Sequence, residues 1–141
     1  MMEPLHFHYD VDGRDFSSAG EASVKVKKLL RQLSFSPDVI RRISVAMYEG
    51  EINMVIHANG GNADVFIDDS NILIRLQDTG PGIANISLAM QEGYSTAPDN
   101  VRTLGFGAGM GLPNMKRYSD EMHIQSEVGK GTTIELIYHI G

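Results

Sequence analysis

Apolar residues recur along this chain in two rhythms, and the changes between them mark out its elements. Leu5-His-Phe-His-Tyr9 alternates apolar and polar residues in the manner of a half-buried strand, with a turn behind it at Asp12-Gly13. From Ser18 the spacing becomes helical. Ser18-x-x-Glu21 has the form of a capping box ahead of a helix through Val24, Leu29, Leu30 and Leu33, with cations at Lys25, Lys27 and Lys28. A longer helix follows. Ser36-Pro37-Asp38 offers a hydroxyl cap, a proline at the first helical position and an acid in the first turn, and Asn59-Gly60-Gly61 supplies a left-handed stop. Alternation returns in Ala63-Val65-Ile67 and Ile72-Ile74-Leu76, joined by the hairpin signal Asp68-Asp-Ser-Asn71. Residues 83 to 92 suit a short helix, and another is expected from about Leu112-Pro113 to Tyr118. Met122–Ser126 and Thr133–His139 read as two final strands around Gly129-Lys-Gly131. Hairpins dominate, so the expected architecture is α+β: a two-layer sandwich of a mixed, mostly antiparallel sheet with helices on one face, in a single domain over residues 1–141.

The long helix carries the best candidate site. At about 100° per residue, Val39, Ile40, Ile43, Ala46, Met47, Gly50 and Met54 share one face and Val45, Ile52 and Ile56 another, while Arg41, Ser44, Tyr48 and Glu51 form a solvent strip. Between the apolar faces run Glu49, Asn53 and His57, each one turn after the last. A carboxylate and an amide aimed into semi-buried space, with no cation at helical spacing, call for a metal or ligand, or else for backbone and water.

Composition narrows the classes. A formal charge of −6 with no basic cluster beyond Lys25–Lys28 and Arg41-Arg42 argues against a duplex nucleic-acid footprint. The chain has no cysteine, which removes disulfides and thiolate chemistry. Without a long apolar run or a basic-then-apolar start, no membrane span or signal peptide is expected, and a cytoplasmic protein fits.

Chemistry concentrates further along. Strand parity places Asp78 on the side of Ile72, Ile74 and Leu76, so this strand ends in an acid directed at the covered face. Asp78-Thr-Gly-Pro-Gly82 follows, with Gly80 and Gly82 permitting close backbone approach. Gly93 to Leu104 reads as a mobile loop, and Gly105-Phe-Gly-Ala-Gly-Met-Gly111 opens the next helix. Seven of the 15 glycines fall between Gly80 and Gly111, which argues for a backbone cradle over scattered turns. A glycine-rich turn feeding a helix, here Gly107, Gly109 and Gly111, presents free N–H groups at the positive end of the dipole, as a phosphate site does. It is neither a Walker A loop, lacking Gly-Lys-Ser/Thr, nor a dinucleotide fingerprint, lacking the strand-turn-helix order.

Glu49-x-x-x-Asn53, Asp78-x-Gly80-x-Gly82 and Gly105-x-Gly107-x-Gly109-x-Gly111 occur in the order and spacing of the N, G1 and G2 boxes. Over about residues 5 to 140 the chain therefore resembles the GHKL ATP-binding (Bergerat) fold of gyrase, histidine kinases and MutL. Its small size, together with Glu92-Gly-Tyr-Ser-Thr96 and Gly109-Met-Gly-Leu-Pro-Asn-Met-Lys-Arg117, is similar to the stand-alone bacterial anti-sigma factors and switch serine/threonine kinases.

That resemblance implies ATP and Mg²⁺ as cofactors and assigns roles. Asp78 would accept from the adenine amino group, Gly80 and Gly82 would let the base approach, and Thr132 in Gly-Lys-Gly-Thr would help hold the same edge. Asn53 would be the Mg²⁺ ligand and Glu49 the general base. His57 would lie close to the nucleotide, and Gly105, Gly107, Gly109, Met110, Gly111 and Leu112 would cradle its phosphates. Arg102 could swing over the γ-phosphate from the loop, and Lys116 and Arg117 would be surface charges. Two functions follow: a regulatory protein serine/threonine kinase acting on a STAS-domain partner, or a non-catalytic module in which ATP gates capture of a sigma factor or other regulator. A homodimer is open to either.

Overall fold

The computed structural model describes residues 4–13, 19–58, 60–90 and 111–141. In chain order the elements are β1 (Leu5–Asp12), α1 (Glu21–Gln32), α2 (Pro37–Ala58), β2 (Gly60–Ile67), β3 (Asn71–Asp78), a single turn α3 (Ile86–Ala89), α4 (Gly111–Arg117), β4 (Glu121–Glu127) and β5 (Gly131–His139). The strands form one sheet in the order β1-β2-β3-β5-β4. The α+β sandwich is as the sequence suggests, but among the described residues the sheet is not mixed: every pairing there is antiparallel. β4 does run parallel to β3, as a helical crossover requires, yet β5 inserts between the two and keeps parallel strands from touching.

Alternation decides which face is covered. Ala63, Val65 and Ile67 of β2, Ile72, Ile74 and Leu76 of β3, and Ile134, Leu136 and Tyr138 of β5 are buried against Val26 and Leu30 of α1, Ile43, Met47 and Met54 of α2, and Met115 of α4. Each fully buried aliphatic side chain in this layer contributes roughly 1.5 to 3 kcal/mol. Among the described residues no helix packs on the opposite sheet face, which is held by side-chain ladders. His6 and His8 both bond Asp64 at 2.8 Å, His6 stacks on Phe66 with centroids 4.3 Å apart, and Arg75 pairs with Glu135 at 3.0 Å.

The ends of α1 differ from the expected capping box. The helix starts at Glu21 behind Gly20, whose φ of 99° is left-handed and which supplies no side-chain cap, while Ser18 lies outside the described residues. At the other end Phe35 N–H donates to the Leu30 carbonyl at 3.2 Å and Ser34 N–H to Arg31 at 3.0 Å, a Schellman closure with Ser34 in the left-handed region at φ 64°. Among the described residues no helix is long and apolar enough to cross a membrane.

Candidate functional site

The long helix is built as its sequence suggests. Ser36 Oγ accepts from Val39 N–H at 3.3 Å, Pro37 is the first helical residue, and Gly60 takes φ 101° just after the end at Ala58. One expectation fails: Glu51 is not on a solvent strip. It is only 2% exposed, and its carboxylate accepts from the backbone N–H groups of Gly20, Ala22 and Ser23 at 2.8, 3.2 and 2.9 Å and from Ser23 Oγ at 2.7 Å. The first turn of α1, rich in unpaired donors, docks on this face of α2 and takes an acid from 28 to 31 positions downstream as its cap.

The Glu49, Asn53 and His57 stripe has the opposite character. All three are half-buried, and among the described residues neither Glu49 nor Asn53 has a hydrogen-bond or ion-pair partner. Gly111, the first residue of α4, lies against Asn53 so closely that a Cβ there would sit 3.0 Å from both amide heteroatoms. Glycine therefore lets α4 begin at the stripe. His57 is held below its ordinary pKa mainly by burial, against the upward pull of the Asp78 carboxylate.

Asp78 ends β3 opposite Thr132 of β5. Its Oδ1 accepts from Gly80 N–H at 3.0 Å and Thr132 N–H at 3.2 Å, while Oδ2 has no hydrogen bond among the described residues. Gly80 is packed on the last turn of α2, where a Cβ would come within 2.5 Å of Ala58 Cβ; Gly82 takes φ 78°. The carboxylate and the end of α2 are thus brought to one place. Thr132 is 8% exposed, and its hydroxyl shares a 2.8 Å hydrogen bond with Ser126 Oγ, which also accepts from Ile83 N–H at 2.7 Å. Ser126 is absent from the sequence reading, although it lies on the same side of β4 as Met122 and Ile124, directly across from Thr132.

The structure thus gathers Glu49, Asn53, His57, Asp78, Gly80, Gly82, Gly111 and Thr132 around the C-terminal half of α2, the end of β3 and the β4–β5 turn. Leu112 is 8% exposed with its side chain in the core, so only its backbone is suited to a ligand. Gly105, Gly107, Gly109, Met110, Arg102 and the loop from Gly93 to Leu104 lie outside the described residues, whereas Lys116 and Arg117 are exposed as expected.

A purine nucleotide with Mg²⁺ fits what is present. Among the described residues Asp78 Oδ2 is a free acceptor for an amino group, and a side chain at Gly111 would press on Asn53, while Gly80 lets the turn after Asp78 pack on the end of α2. Asn53 and Glu49 are oxygen donors of the kind a hard cation takes. Among the described residues no group of three or more His, Cys, Asp or Glu could hold a metal alone. Such an ion would take much of its coordination from phosphate and water.

Residues 38–140 match the family described as histidine kinase-, DNA gyrase B-, and HSP90-like ATPase. The chain is 33% identical to the anti-sigma F factor of Geobacillus thermodenitrificans (strain NG80-2), over 99% of this chain and 94% of that one. It is 35% identical to the anti-sigma F factor of Geobacillus sp. (strain WCH70), with the same coverage. Among solved structures, that of the RsbU and RsbW domains of Rv1364c from Mycobacterium tuberculosis is similar in fold. The TM-score is 0.63 at 18% identity, over 97% of this chain and 32% of that one.

Proposed function

Because the chain belongs to the histidine kinase-, DNA gyrase B-, and HSP90-like ATPase family, we propose that it is an ATP-dependent protein serine/threonine kinase of the anti-sigma, switch-kinase type. Its partner would be a STAS-domain regulator or a sigma factor, a reading supported by relatives named anti-sigma F factor. The observation that carries the catalytic half is Glu49: a half-buried carboxylate, one turn before Asn53, with no partner among the described residues.

Asp78 Oδ2 would accept from the adenine amino group, with Thr132 and Gly82 beside the same edge and Gly80 keeping the approach open. Asn53 would hold Mg²⁺, and Gly111 with the backbone of Leu112 would face the phosphates at the start of α4. Bound ATP supplies the γ-phosphoryl group and Mg²⁺ offsets its charge. Glu49 would then accept the proton of the partner's hydroxyl, an effect worth roughly 10²- to 10⁴-fold in rate.

Glu49→Gln tests this. It preserves size and most hydrogen bonding, so the ATP dissociation constant should change little while single-turnover transfer to the cognate partner falls by about two to four orders of magnitude. If the wild type transfers nothing, yet ATP changes its affinity for a regulator that Glu49→Gln still binds, the chain is a nucleotide-gated binding module.

A further inference from the structure

One turn ahead of the nucleotide stripe, the C-terminal half of α1 and the N-terminal half of α2 enclose an open cleft of about 570 Å³. Val45, its lining residue nearest the stripe on α2, is four positions before Glu49, or about 6 Å along the axis at 1.5 Å per residue. Phe35, Ile40 and Val45 supply apolar lining, and Lys27, Arg31 and Arg41 supply the charge; among the described residues no acid lines it. Lys27 and Arg31 are one helical turn apart on α1, and among the described residues neither has an ion-pair partner. Arg41 is held at one wall by Asp38 at 3.1 Å and lies 5.7 Å over the Tyr118 ring.

This distribution runs against the chain as a whole. The formal charge is −6, yet α1 carries Lys25, Lys27, Lys28 and Arg31 against the single acid Glu21. A positive trough on an acidic protein selects for negative partners. The apolar lining is more than a polyanion backbone needs. It suits a helix whose apolar stripe enters the cleft while carboxylates on its flank meet Lys27 and Arg31. The cleft is also held open in advance. Glu51 ties the first turn of α1 to α2, and the Ser34–Phe35 closure fixes the connection at the other end, so little ordering accompanies docking.

We propose that the α1–α2 cleft is a docking site for an acidic amphipathic helix of the protein partner, separate from the nucleotide site. This rests on the reading that the chain acts on a protein partner, and it adds where that partner is gripped. The probe is a labelled helical peptide with leucines along one face and glutamates on its flank, beside a counterpart with lysines in place of the glutamates. At low ionic strength the acidic peptide should bind and the basic one should not. The double substitution Lys27→Glu and Arg31→Glu should weaken binding about tenfold or more, and added salt should weaken it in the wild type. The ATP dissociation constant of the double variant should be unchanged, and the milder pair Lys27→Ala and Arg31→Ala should give an intermediate loss. Equal affinity for the two peptides, no effect of the double substitution, or displacement of the acidic peptide by a short oligonucleotide would each overturn the proposal. A wild type that binds the acidic peptide but transfers no phosphoryl group would leave the cleft standing and remove only the kinase reading.

Discussion

Two glutamates stand two positions apart on α2 and have opposite surroundings. Glu51 is buried, and its carboxylate is filled by three backbone N–H groups and a hydroxyl from the start of α1; Glu49 is half-buried and meets no donor among the described residues. A buried carboxylate persists only where donors replace its lost hydration. One side of the helix therefore uses its acid to hold two helices together, and the neighbouring side carries an acid that meets no donor among the described residues.

The sharpest way to break that contrast is to remove each carboxylate in turn. Glu51→Ala would leave three backbone donors and the Ser23 hydroxyl in the interior without an acceptor. Unsatisfied buried donors cost about 1 to 3 kcal/mol each and do not add fully, so the expected loss is about 3 to 5 kcal/mol. Glu49→Ala should change stability by no more than about 0.5 kcal/mol. Urea unfolding of the two variants side by side gives the answer, and similar losses would abolish the distinction.

Asp78 combines both behaviours in one side chain. Oδ1 is committed to Gly80 and Thr132 N–H, and Oδ2 is open. In Asp78→Asn the single amide oxygen can keep the structural bonds, which turns the NH₂ group toward the nucleotide and sets donor against donor. ATP affinity should fall about ten- to a hundredfold, or about 1.4 to 2.8 kcal/mol, with stability nearly unchanged. Calorimetry showing wild-type ATP affinity would remove Asp78 from the binding edge.

The two kinds of acid were not equally legible in the sequence. Features set by neighbours in the chain come through: the Ser36 cap, and the Asp68 turn, where Oδ1 accepts from Ser70 and Asn71 N–H at 2.8 Å each. Asp78 is also placed correctly, because strand parity needs only its own strand. Glu51 is misplaced because a helical wheel knows one helix. What buries this residue is the start of α1, which binds it in place of the local capping box suggested by Ser18 and Glu21. The antiparallel pairing of the described strands has the same origin, since only strand order shows β5 entering between β3 and β4. Ser126 could have been found from its place on the covered side of β4 opposite Thr132, a site where a small polar residue needs a polar neighbour.

The stripe that holds Glu49 can be probed by pH through His57. Burial lowers the folded-state pKa of His57 below the ordinary 6.5. The unfolded chain therefore takes up the proton first as pH falls, so stability is full above about 6.5 and declines as pH drops through the folded-state value. His8 works the other way: hydrogen bonds to Asp64 and then Asp10 raise its pKa, giving stability below 6.5 that is lost as pH rises through its folded-state value. Comparing wild type with His57→Gln cancels the His8 contribution, because both chains carry it. The urea midpoint of the wild type should fall more steeply than that of the variant below about pH 6.5. Parallel pH profiles would mean that the stripe is wetter than its burial indicates.

The smallest effect is expected at the far end of α1, where closure is local and no distant acid takes part. Ser34 occupies the left-handed position of the Schellman turn at φ 64°, a conformation that costs a residue with a Cβ about 1 to 2 kcal/mol and glycine almost nothing. Glycine also gives the unfolded chain more freedom, which offsets part of the gain. Ser34→Gly should therefore stabilise the protein by about 0.5 to 1 kcal/mol, read as a higher urea midpoint with an unchanged slope. ATP affinity should stay the same, because the nucleotide stripe lies at the other end of α2. A gain in stability would set the two ends of α1 apart: the C-terminal end can be improved by changing one residue of its own turn, whereas the N-terminal end depends on Glu51. A loss would mean that the Ser34 side chain contributes to the turn, and that this end too depends on more than its backbone.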